Sequence, residues 1–370
     1  MLAWTRTNDG REWIVYSAPT GDSRSLFRVA ISPRGELGSK PEQITSGTGL
    51  IQDAALSDDG KLAFASASLN EQIYAIPTMA DRGVRLEEAR RVTFTEGLRN
   101  HSPSISRDGR WLAYAATNQG NNQTVIRLKD FATGSDRLVA DRAHPYASDI
   151  VSISPDGSHV VFCRLDGAYV VPSEGGTPER ISVNCAPRGF SSDGSRVLMQ
   201  QIVNGGLDYI VAVDLASKTV RKFLSHGQWQ LYHPFFSWDD QWVVFKRMID
   251  LKHGQLLIAP VRNGEPGDEA EWVAATDGRQ NDGKPQFSPD GNTLYFTSDR
   301  DGFRCVWALR LNHATKRPEG RPFAIQHFHN PRGSYSLAYH SGGVVLSVAR
   351  DKILTNLVEP HGDIWLVQVD

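Results

Sequence analysis

The 370-residue chain is 40% apolar and 22% charged, which provides ample apolar surface for a core. Its 40 basic and 42 acidic side chains leave a formal charge of -2, which excludes the strong basic field that draws in nucleic acid or an anionic membrane. No apolar run approaches the roughly 18 residues of a membrane span, and three cysteines without metal-type spacing (Cys163, Cys185, Cys305) read as buried free thiols.

The N-terminal MLAWTRTNDG lacks the basic leader and apolar stretch of a signal peptide. The expected location is the cytoplasm if Met1 is the natural start, and outside it if the chain belongs to an anchored larger protein. Along the chain one phrase then returns: ALSDDGKLAF, SISRDGRWLAY, SISPDGSHVVF, GFSSDGSRVLM, FFSWDDQWVVF and QFSPDGNTLYF, with weaker copies WTRTNDGREWIVY and AYHSGGVVLSV at the ends. Aligning Gly10, Gly60, Gly109, Gly157, Gly194, Asp240, Gly291 and Gly343 gives spacings of 37 to 52 residues, the length of a four-stranded repeat. In each phrase Asp bonds the local backbone and Gly is free to take positive φ, so the phrase is a hairpin tip. The residues after it alternate in character, the period of a strand. A third strand follows, as in QIYAIP, AYVVP, CVWAL and DIWLVQV, and its aromatics Tyr74, Tyr169, Trp307 and Trp365 read as core between repeats. RLEEARRV, around Glu87, is the only helical candidate, and it is brief.

One such sheet cannot bury both faces, whereas sheets stacked around an axis bury each other. The expected fold is therefore all-β: a single β-propeller over residues 1–370, built from four-stranded antiparallel blades. Eight blades are expected, at about 1–48, 49–97, 98–143, 144–183, 184–226, 227–278, 279–328 and 329–370, or seven if an end copy does not close. Met1 already lies in an innermost strand and Asp370 ends a third strand. The ring should therefore lack an interleaved closing blade and meet at a weak seam of Trp4, Trp13 and Trp365.

These repeats resemble the TolB-type propeller repeat, which is WD-repeat-like, over essentially the whole chain. The tract from Lys284 to Arg332 and the terminal GDIWLVQVD are similar to bacterial propeller modules fused to serine/threonine kinases or winged-helix regulators. GxGxxG, HRD, DFG and helix-turn-helix segments are all missing from this sequence. The resemblance thus implies a sensing or scaffolding module and names no ligand.

Candidate site residues are those just before each turn phrase, where a propeller's channel opens: Asp53, Asn100, His101, Asp149, Arg188, Tyr232, His233, Asp282 and Lys284. They are polar and mixed in sign, which suits a protein, a peptide or a small polar ligand, with no cofactor and no catalytic residue. The alternative is a metal-dependent lyase or hydrolase acting on a sugar acid, with His233, His327 and His329 as ligands. Some propeller lyases acting on uronate sugars use such a set. The absence of a GxSxG elbow argues against a serine nucleophile, and the short acidic loop at Asp299 and Asp301 offers too few oxygens for calcium.

Overall fold

The computed structural model describes residues 2–6, 12–20, 23–45, 50–57, 59, 61–95, 97–118, 121–144, 151–183, 185–203, 205–329 and 345–368. Among them the regular elements are strands, apart from two 3-10 turns at Ala80–Arg82 and Glu269–Glu271. No helix is long and apolar enough to cross a membrane. The segment around Glu87 is not helical; it leads into the short strand Arg90–Arg91.

The turn phrase folds as its chemistry requires. In the described copies the serine hydroxyl donates to the Asp two residues on, at 2.6 Å for Ser154–Asp156, Ser191–Asp193 and Ser288–Asp290. The same oxygen accepts the backbone N–H five residues on, as Ser106 does from Trp111 and Ser288 from Thr293. The tip residue takes positive φ, from +70° to +76° at Gly109, Gly157, Gly194 and Gly291. Asp240 fills the same slot at +58°. Gly10, Gly60 and Gly343 lie outside the described residues. In the last repeat the described turn falls instead at Ala349, whose N–H bonds the Lys352 carbonyl.

Five sheets run consecutively, each ordered from inside out; four have four strands, and the one that begins at Leu231–Phe236 has five. Their inner strands are Leu98–Ile105, Val151–Ile153, Cys185–Phe190, Leu231–Phe236 and Gly283–Phe287. The sixth is a hybrid. Its inner strand is Leu346–Val348, followed by the first part of the long strand Lys352–Gln368, then the last part of the long strand Lys61–Met79, then Arg90–Arg91. Six hydrophobic clusters, one for each pair of neighbouring sheets, close the cycle. The sixth-to-first interface, for example, packs Ile73, Ala349 and Leu354 on Leu112 and Tyr114. Fully buried Tyr114, Phe162, Phe245, Tyr295 and Phe296 contribute about 1.5–3 kcal/mol each. Side chains also stitch inner strands to their neighbours. Ser347 Oγ accepts the Ile105 N–H, Ser104 Oγ accepts the Ile153 N–H, Ser152 Oγ donates to the Arg188 carbonyl, and Gln286 bonds both Leu346 and Val348.

Two expectations are corrected here. The ring has an interleaved closing blade, in which strands from near both chain ends pair by backbone hydrogen bonds. And the described residues place six sheets around the axis rather than eight. The cause is one ladder. Lys61–Met79 and Lys352–Gln368 run straight through the places where the second and eighth repeats predict hairpins, and pair with each other over 17 residues. Their far halves leave the ring and join Leu50–Leu56. With the sheet of Leu2–Arg6, Glu12–Thr20, Ser23–Ile31 and Glu42–Gln43 they bury a separate small core of Val15, Leu26, Leu62 and Phe64. Among the described residues the expected tryptophan seam does not form: Trp365 pairs with Phe64 in that ladder and is 51% exposed, and Trp13 carries the Arg28 guanidinium, while the Trp4 side chain lies outside the described residues. Tyr74, Tyr169 and Trp307 do pack against core between blades.

Candidate functional site

The site is built at the end of the axis where the inner strands begin. Four of them carry a register shift within the strand, opposite Ala113–Ala115, before Phe190, after Tyr232 and after Gly283. Such bulges re-aim side chains. At three of them a non-glycine residue is held at φ of +53° or +54°: Ser102, His233 and Lys284, each followed by proline. Holding L-residues there costs on the order of 1 kcal/mol each, so neighbouring contacts must impose it.

The bulges bring together a buried cationic group. Arg188 (8% exposed), Lys246 (3%) and Lys284 (3%) lie with Arg304 around His233, and Asp282, which is fully buried, sits beside Lys246 and Arg300. Arg300 Nη2 donates to Asp282 Oδ1 at 2.9 Å. Asp282 Oδ2 has no hydrogen-bond partner among the described residues. Lys246 Nζ donates to Asn281 Oδ1 at 2.8 Å, and Arg188 Nη2 to Gln200 Oε1 at 3.1 Å. Gly254 makes room for the lysine, because a Cβ there would meet Lys246 Cε and the Asp282 carbonyl. Burial, followed by the Arg304 charge, brings the Lys246 ammonium down to about 8. Burial and the charges of Lys284, Arg188, Lys246 and Arg304 hold the His233 imidazole well below its ordinary range, so it is neutral at pH 7. Its Nδ1 accepts the Lys284 backbone N–H at 3.4 Å, which leaves the ring proton on Nε2.

All six inner strands meet on the axis. A cavity of about 20 Å³ is lined by Ser104, Val151, Arg188, Phe235, Lys284 and Ser347. A second, of about 80 Å³, continues from Arg188 and Gln286 to Arg107 and Trp238. There one side chain spans the axis. Arg107 of the first sheet reaches the fourth, donating to the Trp238 carbonyl at 2.8 Å. The guanidiniums of Arg107 and Arg350 lie 5.1 and 5.4 Å from the indole centroid. Trp238 stands where other turn phrases have Pro155 or Pro289.

Of the residues expected from sequence, Arg188, His233, Asp282 and Lys284 are brought together. Tyr232 is beside them, half-buried, its hydroxyl bonded to Gln230 and pushed up by burial and the Asp208 carboxylate. Asn100 and His101 are buried in their own network with Gln72 and Thr117. Asp149 lies outside the described residues. Asp53 is on a strand off the ring, and its side chain is not described. Of the alternative metal set, His327 and His329 meet at Asp301, whereas His233 is on an inner strand against Gly283 and Lys284. Sequence reasoning missed Lys246, Arg300 and Arg304. A signal existed for the first: Gln200, Lys246 and Thr297 occupy one repeat slot, sixth after the turn tip, where Ala115 and Cys163 stand in other copies.

No family model matches this chain. A stretch of 159 residues, 41% of the chain, is 33% identical to an uncharacterized protein of Agrobacterium fabrum, and the match spans about half (51%) of that relative's length. Among solved structures, a putative TolB from Agrobacterium tumefaciens is similar over 80% of this chain and all of its own, with TM-score 0.60 and 19% identity. The fold is that of a β-propeller. TolB from Acinetobacter baumannii matches 95% of this propeller and 80% of its own chain, with TM-score 0.51 and 12% identity. At these identities the likeness concerns the propeller fold alone.

Proposed function

We propose that this propeller is a non-enzymatic binding module that takes an anionic group of a polar ligand, such as the carboxylate of a peptide end or of a small organic acid, at the cationic end of its axis. The observation that carries the reading is the gathering of Arg188, Lys246, Lys284 and Arg304 around His233, with Arg300 on the buried Asp282 beside them. An incoming carboxylate meets cationic donors already held in place on a rigid scaffold. Attachment to a larger regulator, as a sensing part, is consistent with the resemblance of the repeats. The metal alternative is less favoured at this end, because His233 is enclosed by cations that repel a metal ion.

The test is thermal unfolding and calorimetric titration of the whole chain with citrate, succinate and a short peptide in free and C-terminally amidated form. Saturable binding of a carboxylate probe that weakens at least tenfold in Arg188→Met and Lys246→Met is expected. Because an anion is held partly by the Lys246 charge, affinity should fall as pH rises through about 8. Equal affinity in wild type and both variants would sink the reading, as would no binding by any probe.

A further inference from the structure

Beside the cationic end, on the loop that carries Arg300 and Arg304, a second group of side chains converges. Asp301 and Cys305 come from the hairpin joining Thr293–Ser298 to Cys305–Arg310, and His327 and His329 follow the outer strand Phe323–Gln326. Each offers one donor atom, and the four atoms lie within 4.8 Å of one another. His327 Nδ1 and His329 Nε2 both reach the same carboxylate oxygen, Asp301 Oδ2, at 2.7 and 2.9 Å.

We propose that Asp301, Cys305, His327 and His329 form a four-ligand site for a zinc-type divalent ion that ties the outer edge of the fifth blade to its own upper hairpin. Two imidazoles, a carboxylate and a thiolate are the donors a borderline ion such as Zn2+ selects, and sulfur disfavours calcium and magnesium. Tetrahedral bonds of about 2.0–2.3 Å place donors about 3.3–3.8 Å apart, so shifts of about 1 Å or less complete the site. The surroundings orient the donors as a metal's supporting groups do. The Phe328 backbone N–H donates to Cys305 Sγ at 3.3 Å. The Phe303 N–H donates to Asp301 Oδ1, leaving Oδ2 toward the histidines. Phe303 packs on His329 with ring centroids 4.5 Å apart, and Trp307 meets His327 edge-on at 5.7 Å. Cys305 is fully buried while the histidines are partly exposed, so an ion can enter from solvent and be held from beneath. Four protein donors leave no open position, so the site is structural rather than catalytic.

The experiment uses the full chain, stripped with chelator and titrated with Zn2+ and with Co2+. About one equivalent of Zn2+ should bind, at least tenfold more weakly in His329→Ala and Asp301→Asn. The Co2+ form should show a thiolate charge-transfer band that is lost in Cys305→Ser. His329→Ala alters a side chain 42% exposed, so its fold should persist, with circular dichroism as the check. Less than about half an equivalent bound, or equal affinity in wild type, His329→Ala and Asp301→Asn, overturns the site. A cobalt spectrum without the sulfur band removes Cys305 from it and overturns the set as proposed.

Discussion

Lys246 shows how one residue can cost stability and serve a site. Its ammonium is buried and donates to the side-chain oxygen of Asn281, with the Arg304 charge close by and the Asp282 and Asp299 carboxylates partly offsetting it. At pH 7 it is charged in the folded and unfolded states alike, and the folded state bears the desolvation. Between about 8 and the ordinary 10.5 the folded protein sheds this proton while the unfolded chain keeps it. The unfolded state then binds more protons, so stability rises with pH across that window. Lys246→Met should raise stability at pH 7 by roughly 1–3 kcal/mol and remove that rise, as read from urea unfolding of both proteins from pH 7 to 10.5. A variant no more stable than wild type at pH 7 would contradict the assigned burial cost. His233 acts in the same sense at lower pH. Its folded form resists protonation, so stability is lost as pH falls below the usual 6.5.

At the scale of elements, the long ladder is secured where it crosses from ring to lobe. Glu71, 3% exposed, takes Arg99 from the first blade on Oε2 at 2.8 and 2.9 Å and Asn356 from the partner strand on Oε1 at 2.6 Å. Tyr74 and Asn70 hold Glu359 beside it. Glu71→Ala leaves Arg99 and Asn356 without their acceptor and should cost about 2–3 kcal/mol. That is somewhat below the usual figure for a broken buried pair, because Arg99 retains some solvent. Chemical denaturation measures it, and a loss under about 0.5 kcal/mol would show that the ladder does not depend on this tie. The repeats were legible in this region, each strand being apolar where expected. The pairing was not, because the strand in KLAF is chemically as good a mate for DIWLVQ as for its own successor QIYAIP.

For the whole molecule, ring closure by backbone pairing changes where weakness should lie. The sixth blade joins Lys352–Leu357 to Gln72–Pro77 and shares apolar clusters with both neighbours. The outboard lobe rests on one small cluster. Native-state hydrogen exchange should therefore protect Ile73–Ile76 and Ile353–Leu354 as strongly as the second strands of the middle blades. Trp13–Val15 and Phe27–Val29 should exchange through a lower-energy opening. Equal protection of lobe and ring would show that they unfold as one unit.

What the sequence determines by itself is everything with a short range. The Ser-x-Asp-Gly tip closes its own hydrogen bonds within five residues, strand alternation has a period of two, and the apolar third strands declare blades that must stack. From these came the all-β propeller, the structural role of the recurrent serines and aspartates, and four residues that lie together at one end of the axis: Arg188, His233, Asp282 and Lys284. Only the tertiary structure decided what depends on which distant segments meet. It set the number of sheets around the axis, the exchange that makes residues 61–79 and 352–368 partners, the plug of Trp238 by an arginine from the opposite side, and the addition of Lys246, Arg300 and Arg304 to the site. Repeats alike in chemistry offer alternative mates of similar local merit, and the choice among them rests on long-range packing that no single repeat encodes.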